Sequence, residues 1–127
     1  TDADSSQHGA PSWFDTMTTD VDRAAKFYSG LFGWTPEITP MPGSTYTTFK
    51  LGAANVAGMM QITPRMGELR PHWRTYFTVK DADETAREAV EFGAMICMSM
   101  KDVPDVCRFC GITSRHGVTF CVVQYTH

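Results

Sequence analysis

The chain has no apolar run near the roughly 18 residues that a bilayer-spanning helix requires, no cluster of basic residues, and only four histidines among its 127 positions. The first absence predicts a soluble protein with no membrane partner. The second excludes nucleic acid, because phosphate recognition needs a concentrated basic face. Here the net charge is -3 and the pI near 5.7. The densest basic group, Arg65, Arg70 and Arg74, is diluted by Glu68. His8, His72, His116 and His127 fall in a tail, a strand entrance, a hairpin turn and the terminus. None is spaced from a second ligand as a metal site would require. The cysteines number four. Cys97, Cys107, Cys110 and Cys121 sit in apolar runs with no visible signal peptide, which predicts reduced thiols in a cytoplasm rather than a disulfide framework.

What is present is ordinary globular composition, 43% hydrophobic and 20% charged, in a length suited to one domain with its own core. Residues 1–10 (TDADSSQHGA) are polar and without pattern, and are expected to be a disordered tail. Two later stretches look like copies of one unit. Trp13 to Trp34 and Arg74 to Ala94 each open with alternating apolar and polar residues, then an Asp, an amphipathic run and a closing Gly. The Asp residues, Asp20 and Asp81, are 61 positions apart, and Gly33 and Gly93 are 60 apart. Such self-similarity decides architecture before any single motif does.

Each unit reads as a strand followed by a helix. Ser12 to Thr18 alternates as a half-buried strand. Thr19 or Asp20 caps a helix whose apolar stripe is Ala24, Phe27, Tyr28, Leu31 and Phe32, and Gly33 stops it. Pro36, Pro40, Pro42 and Gly43 punctuate a short strand and a turn, and Tyr46 to Leu51 and Asn55 to Ile62 follow as strands. Residues 64–71 are a linker between modules 11–63 and 72–127. The second module repeats the order: strand His72 to Val79, then a helix begun by Asp81 and Glu84. That helix presents Ala82, Ala86, Ala89, Val90 and Phe92 to a core. Met95 to Met100, Val106 to Thr113 and Val118 to Tyr125 are strands. The order is βαβββ twice.

The segments TTDVDRAAKFYSGLFGW, NVAGMMQI, PHWRTYFTVKDADETAREAVEFGA and VCRFCGITSRHGVTFCVVQ resemble the vicinal-oxygen-chelate superfamily of glyoxalases, bleomycin-resistance proteins and ring-cleaving dioxygenases. The resemblance covers nearly everything from Pro11 to Gln124. It implies an α+β fold in which two βαβββ modules build a cupped, mixed and antiparallel sheet around a ligand site, often in a homodimer. Catalytic members hold a divalent metal with His, Gln or Glu on the first and last strand of each module. Carried over by position, those places fall on Trp13, Arg74, Cys121 and Met59 or Met60. An indole and a guanidinium do not ligate, and thioether and thiol are poorly matched to magnesium, manganese or iron. No metal and no cofactor is therefore expected.

Strand alternation fills the cup instead. With Trp13 inside, Asp15 and Met17 are inside as well; with Arg74 inside, so are Tyr76 and Thr78. Pairing Thr113 with Val118 across the last hairpin sets Cys110 opposite Cys121 and turns Arg108, Cys110 and Cys121 inward. The candidate ligand-binding set is Trp13, Asp15, Met60, Arg74, Tyr76, Arg108, Cys110 and Cys121. Arg74 and Arg108 either anchor an anionic group, or Arg74 pairs with Asp15 and Arg108 reaches solvent. Cys110 and Cys121 are inert core thiols, a cross-strand disulfide, or a soft-metal site joined by Cys97. The functional expectation is a metal-free small-molecule-binding protein of the sequestration or resistance type, with an aromatic or amphipathic anionic ligand. The alternatives are a lyase or isomerase with a divergent site such as Asp15 and Tyr76, and a protein-interaction module.

Overall fold

The computed structural model describes residues 4–41, 44–66 and 69–126, without the side chain of Arg65. The turn expected at Pro42 and Gly43, linker positions 67 and 68, the first three residues of the tail and His127 lie outside the described residues. The expected α+β class and doubled βαβββ order are both found. The elements are β1 (Pro11–Thr18), α1 (Val21–Phe32), β2 (Thr35–Met41), β3 (Ser44–Leu51), β4 (Ala54–Gln61), β5 (His72–Thr78), α2 (Ala82–Glu91), β6 (Met95–Val103), β7 (Cys107–Thr113) and β8 (Thr119–Tyr125). The chain divides into two compact units. The first is Trp13–Arg74; the second is Thr75–His127 with Thr1–Ser12.

In the first unit the strands lie in the order β2-β3-β4-β1, and in the second β5-β8-β7-β6. Each unit runs its opening strand parallel to its last, β1 beside β4 and β5 beside β8, while the other neighbours are antiparallel. A parallel pair needs a long crossover, which the helix supplies. The repeated Asp residues start both helices. The Asp20 carboxylate accepts from Arg23 N at 3.1 Å and that of Asp81 from Glu84 N at 3.1 Å. Replacing either Asp by Ala should lower stability by about 1 kcal/mol, read as a smaller urea midpoint at unchanged slope. Gly33 at φ 72° and Gly93 at φ 96° take the left-handed conformation that turns the chain out of each helix.

A second internal correspondence escaped the sequence reading. Gln61 Oε1 accepts from Val21 N at 3.3 Å, and Gln124 Oε1 accepts from Ala82 N at 2.8 Å. A glutamine near the end of each module's last strand thus ties down the first turn of that module's helix. The signal was available, in MMQI and VVQY.

The core of the first unit is Phe49, Ala57 and Met59, covered by Val21, Ala24, Ala25 and Tyr28 of α1 and by Trp34. These helix positions are spaced three and four apart, so they share one stripe. Phe27 and Leu31 were expected in that stripe but lie beside it, each 60% exposed, while Phe32 continues the stripe at the end of α1, 49% exposed and packed on Trp34 with ring centroids 4.8 Å apart. In the second unit Val79, Ala82, Cys110, Ile112 and Val122 form the core, with Ala86 and Ala89 against it. Val90 and Phe92 are exposed, not core-facing as expected. Val90 sits one residue, or 100° of rotation, from Ala89, and Phe92 lies past the last full turn.

Residues 4–10, expected to lack structure, are tied to the end of β5. Gly9 N donates to Thr78 O at 2.7 Å and Thr78 N to Ala10 O at 2.8 Å, and Ala10 is buried. β2 is a full seven-residue strand despite Pro36 and Pro40, exposed throughout. Proline is tolerated because an edge strand leaves some N–H groups unpaired.

Candidate functional site

The first unit carries a polar cluster on the sheet face opposite α1. Ala57 and Met59 pack under the helix, so Gly58 and Met60 face the other way. The β1 register sets Asp15 beside Gly58 and Met17 beside Met60, and β3 sets Tyr46 beside Met60. Trp13, Asp15, Tyr46, Gly58 and Met60 therefore share one face. Trp73 packs on Tyr28 and Trp34 on the helix side, with ring centroids 5.3 and 6.3 Å apart. Arg74, next along β5, points to the cluster side.

At its centre Asp15 is 3% exposed. Its Oδ1 accepts from Tyr46 Oη at 2.6 Å and from Trp13 Nε1 at 2.8 Å, and Trp13 Nε1 also lies 3.0 Å from Tyr46 Oη. Arg74 Nη2 stands 3.4 Å from Asp15 Oδ2, with the two side chains 14% and 4% exposed. Burial first, and the Asp15 charge second, push the Tyr46 phenol well above its ordinary range. It keeps its proton and donates it to Asp15. Gly58 makes this possible. A Cβ there would fall 1.6 Å from Tyr46 Oη and 2.5 Å from Asp15 Oδ1. Tyr46 and Gly58 were missed from sequence; a glycine inside a strand was the available sign of close approach.

These residues do not fit the divalent metal that the fold's catalytic members use. The indole Nε1–H is a donor committed to Asp15, the guanidinium is a cation, and Met60 offers a soft thioether. Asp15 is the one hard ligand of this set, and its Oδ1 already accepts two hydrogen bonds. Among the described residues no three His, Cys, Asp or Glu side chains converge.

In the second unit, Tyr76 and Cys121 are register partners on one face, and the Tyr76 ring meets Phe109 edge-on at 5.8 Å. Cys110 and Arg108 are corrections. The β7–β8 hairpin pairs Cys110 with Val122 and Gly111 with Cys121, one residue away from the expected register. Ser114 N donates to Val118 O at 2.8 Å, closing a three-residue loop that ends on Gly117 at φ 87°. The expected pairing assumed a four-residue turn, and a one-residue slip reverses every side chain. Cys110 accordingly lies under α2, and burial holds its thiol above its ordinary value. Arg108 reaches Asp83 of α2 at 3.0 Å and Asp102 at 2.7 Å. These carboxylates hold its guanidinium proton more tightly still, and Arg108 in turn holds Asp83 below the usual range. It is an exposed surface pair, not an inward anchor.

Comparison with known proteins follows the same lines. A family model described as a glyoxalase-like domain matches residues 13–123. CFP32 of Mycobacterium tuberculosis, which carries a provisional glyoxylase name, is 35% identical over 87% of this chain and 44% of its own length. The anthracycline biosynthesis protein DauV of a Streptomyces species is 32% identical over 90% of this chain and 46% of its own. The chain thus spans about half the length of the curated relatives it matches. Among solved structures, methylmalonyl-CoA epimerase from Mycobacterium tuberculosis superposes with a TM-score of 0.66 at 16% identity, over 96% of this chain and 91% of that one. A glyoxalase/bleomycin resistance protein/dioxygenase superfamily member from Vibrio splendidus gives 0.62 at 12% identity, over 88% and 96%. At these identities the likeness is one of fold.

Proposed function

The chain belongs to the glyoxalase-like domain family, and from that premise we propose that it is a metal-free small-molecule-binding domain that holds an aromatic or amphipathic ligand without chemistry. The observation that carries this reading is the closed network around Asp15. Two residues that stand where catalytic relatives place metal ligands, Trp13 and Arg74, are committed to Asp15. The same network argues against Asp15 as a general base, since Tyr46 and Trp13 already donate to Oδ1.

The half-buried Trp13 indole beside Tyr46 offers an aromatic face. A relative named for anthracycline biosynthesis agrees with a planar aromatic ligand, because an anthracycline is one. The anionic group expected from two arginines loses support, as Arg74 and Arg108 both lie beside carboxylates.

The test is a titration of chelator-treated protein with an anthracycline, followed by tryptophan quenching and by mass spectrometry of the recovered ligand. Saturable binding, insensitive to EDTA, with the ligand returned unchanged, is expected. Trp13→Ala should weaken it about tenfold, the loss of one stacked ring and its buried area. Binding that appears only after manganese, nickel or iron is restored would overturn the metal-free reading. A product mass whose formation is abolished in Asp15→Asn would replace it with an isomerase or lyase.

A further inference from the structure

β6 holds four sulfur side chains within six residues, Met95, Cys97, Met98 and Met100. Its ladder with β7 pairs Ile96 with Ile112 and Met98 with Gly111, which leaves Cys97 as the extra residue of a bulge. A bulge opposes two residues to one and turns both toward the same place. A Cβ on Gly111 would lie 2.9 Å from Met98 Cβ, 3.3 Å from Cys97 Sγ and 3.5 Å from the Met98 S-methyl carbon. The thiol and the thioether therefore lean over the bare glycine together.

From its other side Gly111 pairs with Cys121 of β8. Directly opposite residues keep their Cβ positions about 4.5–5.5 Å apart on one face. Cys97 and Cys121 thus neighbour Gly111 from the strands on either side of it. They are too far apart to join directly, since strands two apart lie about 9–10 Å from each other, and a disulfide needs Cα atoms within about 7 Å. An ion placed between the sulfurs can span that distance.

We propose that Cys97, Cys121 and Met98 form a site for a soft, thiophilic ion of the Cu(I) class, above Gly111, whose missing side chain lets the β6 sulfurs close in. Thiolate and thioether select such ions over the hard divalent metals. Binding replaces the two thiol protons, which leave to solvent, and the ion keeps its oxidation state. Cys97 is exposed and gives the ion access, while Cys121 is buried and completes the pair. Cys107, at the other end of β7 and paired with Tyr125, takes no part. The site lies in the second unit and shares no residue with the Asp15 cluster.

The experiment is an anaerobic titration of fully reduced protein with Cu(I), in competition with bathocuproine disulfonate, with iodoacetamide alkylation mapped by mass spectrometry. One Cu(I) per chain should be withheld from the chelator, and binding should protect the exposed Cys97 while Cys107 alkylates at an unchanged rate. Cys97→Ser and Cys121→Ala should each lose the withheld ion, Met98→Leu should weaken it, and Cys107→Ser should keep it. Retention in Cys121→Ala with loss in Cys97→Ser would reduce the site to one surface thiol and overturn the proposal. Should Cys121→Ala fail to fold, X-ray absorption at the copper edge of the loaded, unaltered chain decides: a first shell holding a single sulfur overturns it too.

Discussion

Gly58→Ala will lower the stability of the domain by about 3–5 kcal/mol, among the larger effects available to a single methyl group. Overpacking a filled site costs about 1–3 kcal/mol, and losing a hydrogen bond to a charged group about 1.5–3 kcal/mol. Both apply, because the added Cβ would stand 1.6 Å from Tyr46 Oη and 2.4 Å from Tyr46 Cζ. The neighbouring strands cannot open to admit it. Gly58 is held by Asp15 on β1 and Thr48 on β3 at once. The phenol must swing away and leave a buried carboxylate with one donor fewer. Equilibrium urea unfolding of Gly58→Ala, Tyr46→Leu and the pair measures this directly. Shortening Tyr46 removes the two closest clashes and leaves only that with Asp15 Oδ1 at 2.5 Å, so the pair should fall short of the summed losses by about 1–3 kcal/mol. Additive losses would mean that Tyr46 is not what the glycine makes room for. Gly30→Ala is the control, at an exposed turn of α1 with nothing within 4 Å of its would-be Cβ. It should stabilise the helix by about 0.5–1 kcal/mol.

Local signals explain why so much of the architecture could be read in one dimension. Asp20 and Asp81 announce helix starts because capping is decided within four residues, and Gly33 and Gly93 announce ends because few other residues take that φ. The alternation of β1 put Asp15 on the face of Trp13, and that of β5 put Arg74 on the face opposite Phe77, since a strand has period 2. What could not be read depended on partners far along the chain or on single-residue insertions. Tyr46 meets Asp15 across 31 positions, and no spacing rule ties a β3 tyrosine to a β1 carboxylate. Arg108 and Cys110 were turned inward by assuming a four-residue hairpin turn where the chain uses three. The bulge at Cys97 is invisible to a pattern that counts residues evenly. In each case the error is one of register, and register is set by turns and tertiary contacts more than by composition.

Asp15→Ala should destabilise the domain by about 3–5 kcal/mol, the usual cost of removing one member of a buried charged pair. The carboxylate is the common acceptor of the Tyr46 hydroxyl and the Trp13 indole, and it stands beside an Arg74 side chain only 14% exposed. Asp15→Asn separates charge from shape. Its amide oxygen can still accept from Tyr46 and Trp13, but its NH2 then faces the guanidinium, so a smaller loss of about 2–3 kcal/mol is expected. Removing both charges in Asp15→Ala/Arg74→Met should recover part of the loss, since an apolar pair of similar volume is often no worse than a buried ion pair. Urea midpoints of the three variants give the order Ala lowest, then Asn and the double variant closer to the parent. If Asp15→Asn instead matched the parent in stability, the carboxylate would not be serving the fold.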